Sequence, residues 1–133
     1  VGTEKLKHSA EKVYFTGTQF FSAPPMAAAL ATLDQLQKVN APSKLIEYGE
    51  NLNKRLIKVA EKEGFNLIAS GIPSMPYYRL EDVDFETHFR WIDESVRRGV
   101  YMLGYHNHFI SLAHRKEDID FIENTAKQAF QSL

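Results

Sequence analysis

Apolar residues recur every three or four positions in several stretches of the chain, a spacing that places them on one face of an α-helix. Leu52, Leu56 and Val59 repeat at this interval, while lysine and glutamate fill most positions between them. The predicted helices cover residues 25–39, 43–63, 84–98 and 116–130. Ser43 is the expected N-cap of the second of these helices. On the third, the residues expected to face inward are Phe85, Phe89, Ile92 and Val96.

Shorter apolar runs lie between these helices and predict β-strands. The predicted strands cover residues 65–70, 75–80, 100–103 and 109–113, with a turn at residues 71–73. The connection between the last two strands is too short for a crossover, so they are expected to pair antiparallel. This order of elements predicts an α+β fold with one antiparallel sheet covered by helices on one side. Residues 1–12 are polar and are predicted to lack clear structure.

Composition narrows the class of protein without indicating a reaction. The chain has 133 residues, a formal net charge of −1 and no cysteine. Such a length suits one domain with a core of its own. A nearly neutral chain lacks the basic surface that nucleic acid or an anionic membrane would attract, and no apolar run is long enough to span a bilayer. The lack of cysteine excludes disulfides and fits a cytoplasmic protein.

Residues 13–36 combine a hydroxyl-rich loop with the start of an alanine-rich helix. Two adjacent prolines suit the first helical turn, where a backbone N–H has no helical partner, and Ser22 is placed to cap that turn. Thr16 and Thr18 supply hydroxyls on either side of the flexible Gly17. Such a loop can surround an oxyanion, most commonly phosphate, although ordinary capped helix starts use the same residue types.

His106 and His108 stand one residue apart near the C-terminal end of the chain. On an extended backbone both rings would point to the same side, which is a spacing found in some metal sites. Two ligands are too few to hold a metal ion, and the sequence places no third ligand beside them. No metal site is predicted, and the competing interpretation is a histidine whose ring nitrogens are satisfied by hydrogen bonds.

Two groups of motifs in the same order carry a resemblance to one protein family. The first is VY-x-x-GT at residues 13–18, followed by MAAALATL at residues 26–33. The second consists of GVY, FISLAH and EDID, at residues 99–101, 109–114 and 117–120. With these motifs the chain resembles the class III pyridoxal-phosphate (PLP) aminotransferases, most of all their glutamate-1-semialdehyde 2,1-aminomutase branch. The resemblance covers nearly the whole chain but only the C-terminal third of that family's subunit.

The resemblance implies the C-terminal small domain of a fold-type I PLP-dependent transferase. Residues 1–24 would end the large domain and carry the loop for the cofactor phosphate. Residues 25–41 would form an interdomain helix, and residues 42–133 the small domain. The implied partners are the remainder of the chain's own subunit and the second subunit of a homodimer.

The resemblance also implies site residues. The pair Gly17 and Thr18 matches residues that close over the PLP phosphate of the neighbouring subunit, and Thr16 is a further donor. The family's usual Ser-Gly-Asn-Pro is replaced here by the bulkier FFSAP at residues 20–24. His106 and Asn107 lie where the aminomutase branch carries a Gln-Phe-Glu-Ala sequence, and they are the expected substrate residues. The missing glutamate favours a transaminase over a strict aminomutase.

The residues that perform the family's chemistry are not present in this chain. PLP enzymes need a lysine that binds the cofactor covalently and an acidic partner for its pyridine nitrogen, and the family carries both upstream. No catalytic residue is therefore assigned. The expected function is part of an aminotransferase that moves an amino group between an amino acid or amine and a carbonyl compound. The alternatives are a glutamate-1-semialdehyde aminomutase and a non-catalytic α+β binding module.

Overall fold

The structure, a computed structural model, describes residues 3–14, 17–18 and 20–133. Its contacts divide the chain into two compact units, residues 1–38 and residues 39–133. The first unit holds helices α1 (Glu4–Ala10) and α2 (Ala23–Lys38). In the second, the elements in chain order are α3 (Ala41–Lys62), β1 (Asn66–Ser70), β2 (Tyr77–Glu81), α4 (Phe85–Arg97) and α5 (Lys116–Phe130). Among the described residues, no helix is long and apolar enough to cross a membrane.

Helix α1 corrects the prediction that residues 1–12 lack clear structure. Glu4 lies in its first turn and Lys7 and His8 in its last turn, so their charges complement the helix dipole. The Lys7 ammonium lies 3.4 Å from the Glu4 carboxylate. The helix has 7 residues and buries none of them. It therefore has no apolar periodicity from which it could be predicted.

Helix α2 begins two residues before the predicted start and contains both prolines in its first turn. All of its residues are described and none is buried. Leu30 and Leu33 are 65% and 61% exposed, so these leucines, three positions apart on the helix, are accessible to solvent. Within this unit, α2 is therefore favoured by the helix propensity of its alanines and by the prolines of its first turn, and not by packing into a core.

Helix α3 starts earlier than predicted, and its N-cap is Asn40 rather than Ser43. Asn40 adopts a left-handed conformation (φ 50°), which its short polar side chain tolerates. The Ser43 hydroxyl donates to Asn40 Oδ1 at 3.1 Å. Pro42 occupies the first turn, where its missing N–H costs no helical hydrogen bond. At the other end, Gly64 (φ 85°) terminates the helix.

Strands β1 and β2 form the antiparallel sheet, and their register pairs Leu67 with Leu80. Both leucines are buried, whereas the adjacent Ile68 on the opposite face is 43% exposed. Helix α3 packs against β1, and α5 packs against both α3 and α4. The prediction of an α+β fold with helices on one side of an antiparallel sheet is confirmed.

The two further strands predicted between α4 and α5, at residues 100–103 and 109–113, do not form. The backbone groups of this region form single hydrogen bonds with separate partners, and do not form the repeated pairs of a β-ladder. The Leu103 N–H donates to the ring Nε2 of His108 at 3.2 Å. The His108 N–H in turn donates to the Pro76 carbonyl at 2.8 Å. Since side chains satisfy part of this backbone, the expected antiparallel pairing of these two segments is wrong.

Helix α4 is capped as its sequence suggests, because the Asp84 carboxylate accepts a hydrogen bond from the Thr87 N–H at 2.7 Å. This bond lowers the pKa of Asp84, which is exposed. The predicted inward face is wrong, however, for three of its four residues. Phe85, Phe89 and Val96 are partly exposed, whereas the buried positions are His88, Trp91, Ile92 and Ser95.

Two aromatic contacts explain this rotation of the α4 face. The Trp91 ring stacks on Phe130 with centroids 5.1 Å apart and an interplanar angle of 7°. Phe85 instead lies beneath the Arg79 guanidinium, 4.4 Å from its ring centroid. Helix α5 has the predicted bounds, and its residue Ile119 is buried. The core of the second unit therefore lies between α3, α4, α5 and one face of the sheet.

Candidate functional site

The proposed phosphate loop lies in the first unit. Gly17 and Thr18 are both exposed, and the Gly17 carbonyl accepts a hydrogen bond from the Phe20 N–H at 2.9 Å. A Cβ built on Gly17 would meet no heavy atom of the described residues within 4 Å, so they leave open space beside this backbone. Thr16, the further donor expected from the sequence, lies outside the described residues.

Two bulky residues, Phe20 and Phe21, precede helix α2. The Phe20 and Phe21 rings meet edge to face, with centroids 4.6 Å apart. Phe21 has φ 60°, a left-handed conformation that is uncommon for a large side chain, and is 86% exposed. The loop therefore turns sharply between Thr18 and the start of α2, and Thr18 remains accessible.

A cavity of about 430 Å³ lies within the second unit. The predicted substrate residues His106 and Asn107 both line it. The side chains that form the rest of its wall come from α3, β2, α5 and the irregular segment 100–114. They are Leu52, Leu56, Tyr78, Val100, Tyr101, Met102, Leu103, His108, Phe109, Ile110, His114, Ile119 and Ile122. The structure thus brings the predicted substrate residues together around one space, while Gly17 and Thr18 belong to the other unit.

His108 is held in the wall of this cavity by backbone groups on both sides of its ring. Nε2 accepts the Leu103 N–H, so the proton resides on Nδ1, which faces the Pro76 carbonyl at 3.4 Å. The ring also lies against Tyr78, with centroids 5.3 Å apart. Burial lowers the pKa of His108; the Pro76 carbonyl opposes this and the charge of His106 adds to it. His108 is therefore neutral near pH 7 and serves as a structural histidine.

His106 is oriented differently from His108. Its ring is exposed, and Nδ1 lies 2.9 Å from the Asn107 carbonyl, to which it can donate. In that tautomer Nε2 is left as the available ring atom at the edge of the cavity. His106 and His108 thus do not act as a pair of ligands. Among the residues that the structure describes, no group of three or more potential ligands could hold a metal ion.

The Gly104 carbonyl anchors the segment that carries these residues. It accepts hydrogen bonds from the Tyr77 hydroxyl at 3.1 Å and from His88 Nε2 at 3.0 Å. A Cβ on Gly104 would lie 2.6 Å from Cε1 of Phe89, so a larger residue here would require the Phe89 ring to move. Sequence reasoning missed both anchors. The available signal was His88, which lies next to the apolar face of α4. A histidine buried there needs a polar partner for its ring.

Comparison with known proteins finds relatives that match the whole chain. No protein-family model matches the chain. It is 31% identical over its whole length to the aminopentol aminotransferase of Sphingopyxis macrogoltabida, of which it covers 32%. It is 24% identical, again over its whole length, to 33% of the 3-aminobutyryl-CoA aminotransferase of Cloacimonas acidaminovorans. A glutamate-1-semialdehyde 2,1-aminomutase from Pyrobaculum islandicum is 29% identical over 91% of the chain and 32% of its own length.

The fold agrees with this result. A solved structure of the FumI protein of Sphingopyxis sp. MTA144, in its PLP internal aldimine form, matches 99% of this chain with a TM-score of 0.90. The sequences are 32% identical, and the match covers 32% of that protein. The chain thus spans about a third of the length of the curated relatives it matches. The resemblance seen in the sequence is confirmed: by sequence and by fold, this chain resembles a C-terminal segment of the class III PLP-dependent aminotransferases.

Proposed function

We propose that the chain is a component of a PLP-dependent aminotransferase and supplies part of its cofactor and substrate sites. One observation carries this proposal. The fold matches a PLP enzyme over 99% of the chain at a TM-score of 0.90 and 32% identity. Such agreement extends through both units, including the segments around the candidate site residues. The substrates would be an amino acid or amine as donor and a carbonyl compound as acceptor.

The proposed division of labour follows the resemblance. Residues 1–24 end the large domain, residues 25–41 form the interdomain helix and residues 42–133 make the small domain. The remainder of the subunit supplies the lysine and the acidic partner of the pyridine ring. The assembly is a cytoplasmic homodimer in which the loop at Thr18 serves the neighbouring subunit. The exposed leucines of α2 support a partner surface, because covering large apolar side chains lowers the free energy.

The donor set at the proposed phosphate loop suits a dianion. The Thr18 hydroxyl is exposed, and the open space beside Gly17 lets a bulky group approach the backbone closely. A hydroxyl and a backbone N–H donating to phosphate form charge-assisted hydrogen bonds, and Thr16 adds a further hydroxyl. When bound, PLP supplies the electron sink on which amino transfer depends. The role of Thr18 is to hold its phosphate.

His106 and Asn107 are the proposed substrate residues at the cavity edge. With the His106 Nδ1 proton directed at the Asn107 carbonyl, Nε2 can accept from a substrate hydroxyl. After protonation, the same atom can donate to a substrate carboxylate. The anchored carbonyl of Gly104 fixes the backbone just before these residues, so their side chains are presented from a defined position.

A glutamate-1-semialdehyde aminomutase is the second candidate, because one such enzyme is 29% identical over 91% of the chain. The sequence of residues 104–108 argues against an aminomutase, because it is GYHNH and contains no carboxylate side chain. The two candidates differ in product. An aminomutase isomerises one substrate without a separate acceptor, whereas an aminotransferase requires an added carbonyl compound.

Borohydride reduction of the intact protein with PLP, followed by mass analysis of its peptides, tests the proposed function. A pyridoxyl adduct on a lysine is expected, and no adduct on any polypeptide would indicate a binding module instead. A second measurement tests the phosphate loop. Thr18→Ala removes one charge-assisted hydrogen bond and is expected to weaken PLP retention by about 10- to 150-fold.

Two variants control that measurement. Thr18→Ser keeps the hydroxyl and should retain PLP nearly as the original protein does. Thr32→Ala removes a hydroxyl that instead donates to the Ala28 carbonyl within α2, so PLP retention should not change. Equal PLP affinity of Thr18→Ala and Thr32→Ala would contradict the phosphate role of Thr18.

A further inference from the structure

The hydrogen bond between the Leu103 N–H and the ring of His108 requires that this ring be neutral. The N–H donates to Nε2 at 3.2 Å, while Nδ1 carries the proton and faces the Pro76 carbonyl at 3.4 Å. In a protonated imidazole both nitrogens carry hydrogens and neither can accept. Two donors would then face each other where a donor now meets an acceptor. Protonation of His108 therefore breaks its bond to Leu103.

Other hydrogen bonds hold the neighbouring backbone without using the His108 ring. The Gly104 carbonyl accepts from the Tyr77 hydroxyl and from His88 Nε2. The backbone N–H of His108 donates to the Pro76 carbonyl at 2.8 Å. The segment thus stays attached at both points when the ring changes charge. The movement that follows protonation is confined to the imidazole and to the peptide group that donates to it.

The cavity wall around the ring offers a protonated imidazole no negative partner. Among the described residues that line the cavity, none is acidic, and α3 and α5 contribute only leucine and isoleucine. The titratable side chains beside His108 in this wall are Tyr78, His106 and His114. Burial raises the pKa of the Tyr78 hydroxyl, so the phenol stays neutral, and a charge on His106 opposes one on His108. A charged His108 ring is therefore more stable in water than in this wall.

We propose that His108 is a pH-dependent switch of the cavity wall: its neutral ring closes the wall between Tyr78 and Leu103, and its protonated ring turns out to water and leaves the wall open. The ring is already half-buried rather than enclosed, so a rotation of the side chain is enough to reach solvent. This inference does not depend on the proposed aminotransferase function, because it concerns contacts within the second unit alone.

The direction of the switch follows from the environment of the ring. Burial lowers the pKa of His108 from its ordinary value of 6.5, and a charge on His106 lowers it further. The closed wall is thus fully populated above pH 6.5 and is lost as the pH falls through the lowered pKa of the folded protein.

Hydrogen exchange of the intact protein, measured by mass spectrometry of its peptides, tests the broken bond. Exchange is corrected at each pH for the intrinsic rate. For the peptide that contains the Leu103 amide it is expected to accelerate by roughly 5- to 150-fold between about pH 7.5 and 5, because a partly buried donor loses its acceptor. Peptides from residues 50–60 of α3 should accelerate far less, since the opening is local.

Three variants assign the effect to one ring. His108→Gln retains an acceptor for the Leu103 N–H but does not titrate, so the acceleration should be absent. His114→Gln is the matched change at another histidine of the same wall and should leave the acceleration in place. His106→Gln removes the charge that lowers the pKa of His108, so the midpoint of the acceleration should move to higher pH.

A thiol placed inside the cavity tests whether the wall opens. The chain has no cysteine of its own, so Ile122→Cys puts one thiol of this chain at a half-buried position of the wall. Ile46→Cys puts one on α3 at a position that is 42% exposed and does not line the cavity. Labelling by 4,4′-dithiodipyridine, which reacts at acidic pH, is measured at each site by peptide mass. The rate at position 122 relative to position 46 is expected to rise as the pH falls, and to stay constant when His108→Gln is added.

Each outcome supports or overturns the switch. Acceleration of equal size in His108→Gln and the original protein overturns it, as does equal acceleration of the α3 peptides, which would reflect opening of the whole unit. A labelling ratio that does not change with pH overturns the opening of the wall. If His108→Gln does not fold, the midpoint in His106→Gln decides: a rise supports the switch, and an unchanged or lower midpoint overturns it.

Discussion

The ring Nε2 of His88 lies 3.0 Å from the carbonyl oxygen of Gly104 and donates a hydrogen bond to it. The other ring nitrogen, Nδ1, accepts the Leu80 N–H at 3.4 Å, which assigns the proton to Nε2. One buried side chain thereby joins α4, β2 and the segment that carries the candidate substrate residues. His88 is 1% exposed, so water cannot replace either bond.

Replacing His88 should loosen the segment that follows Gly104. His88→Leu keeps similar bulk but leaves the Leu80 N–H and part of the Gly104 carbonyl unsatisfied, at about 1–3 kcal/mol for each buried group. Hydrogen exchange of residues 104–108 is expected to accelerate, and the free energy of unfolding to fall. His8→Leu alters a histidine on α1 that is exposed and should have little effect. Equal exchange in the two variants would contradict the anchoring role of His88.

Gly49 should reject even the smallest side chain, although it lies within a helix. Alanine normally stabilises a helix interior by about 1 kcal/mol relative to glycine. Here a Cβ would lie 1.8 Å from the carbonyl oxygen of Pro73, which is backbone and cannot turn aside. Gly49→Ala is therefore expected to destabilise the protein by about 1–3 kcal/mol. The matched change Asn51→Ala, at an exposed position of α3, should be neutral or stabilising in thermal unfolding.

The sequence pattern predicted those elements whose stability comes from one periodic face. Helix α5 has the predicted bounds because Ile119, Ala126 and Phe130 all point into the core. The pattern failed where partners distant in sequence decide the conformation. The face of α4 is set by stacking of Trp91 on Phe130, a contact that no local periodicity encodes. Likewise, residues 100–113 have strand-like composition, but their backbone bonds go partly to the His108 ring.

The candidate site was predictable only as far as the family resemblance reached. His106 and Asn107 were expected at a substrate site, and the structure places both at the edge of one cavity. The cavity itself could not be inferred, since its wall combines α3, β2 and α5, which meet only in the folded chain. Tyr77 was missed for the same reason: its hydroxyl reaches the Gly104 carbonyl, 27 residues away in sequence.

The ion pairs between α3 and α5 should contribute modestly and depend on salt. Arg55 donates from Nε to a Glu123 oxygen at 2.8 Å and also pairs with Asp120. These hydrogen bonds, to Asp120 first and then Glu123, raise the pKa of Arg55. Because the group is partly exposed, Arg55→Met is expected to cost only about 0.5–1 kcal/mol, less at high salt. Lys54→Met, its neighbour on α3, serves as the control. A loss that is equally large at low and high salt would contradict an electrostatic origin.

The half-buried ring of His108 should make stability depend on pH. Burial lowers its pKa in the folded protein, so as pH falls the unfolded chain takes up this proton first. The stability gained by keeping His108 neutral is fully present above the unfolded pKa of about 6.5 and is lost as pH falls toward the folded pKa. His108→Gln retains an acceptor for the Leu103 N–H but does not titrate. Its unfolding midpoint in urea should therefore fall less than that of the original protein between about pH 7.5 and 5. Parallel decreases in the two proteins would show that other groups cause the dependence, whereas a smaller decrease confined to His108→Gln would assign it to this ring.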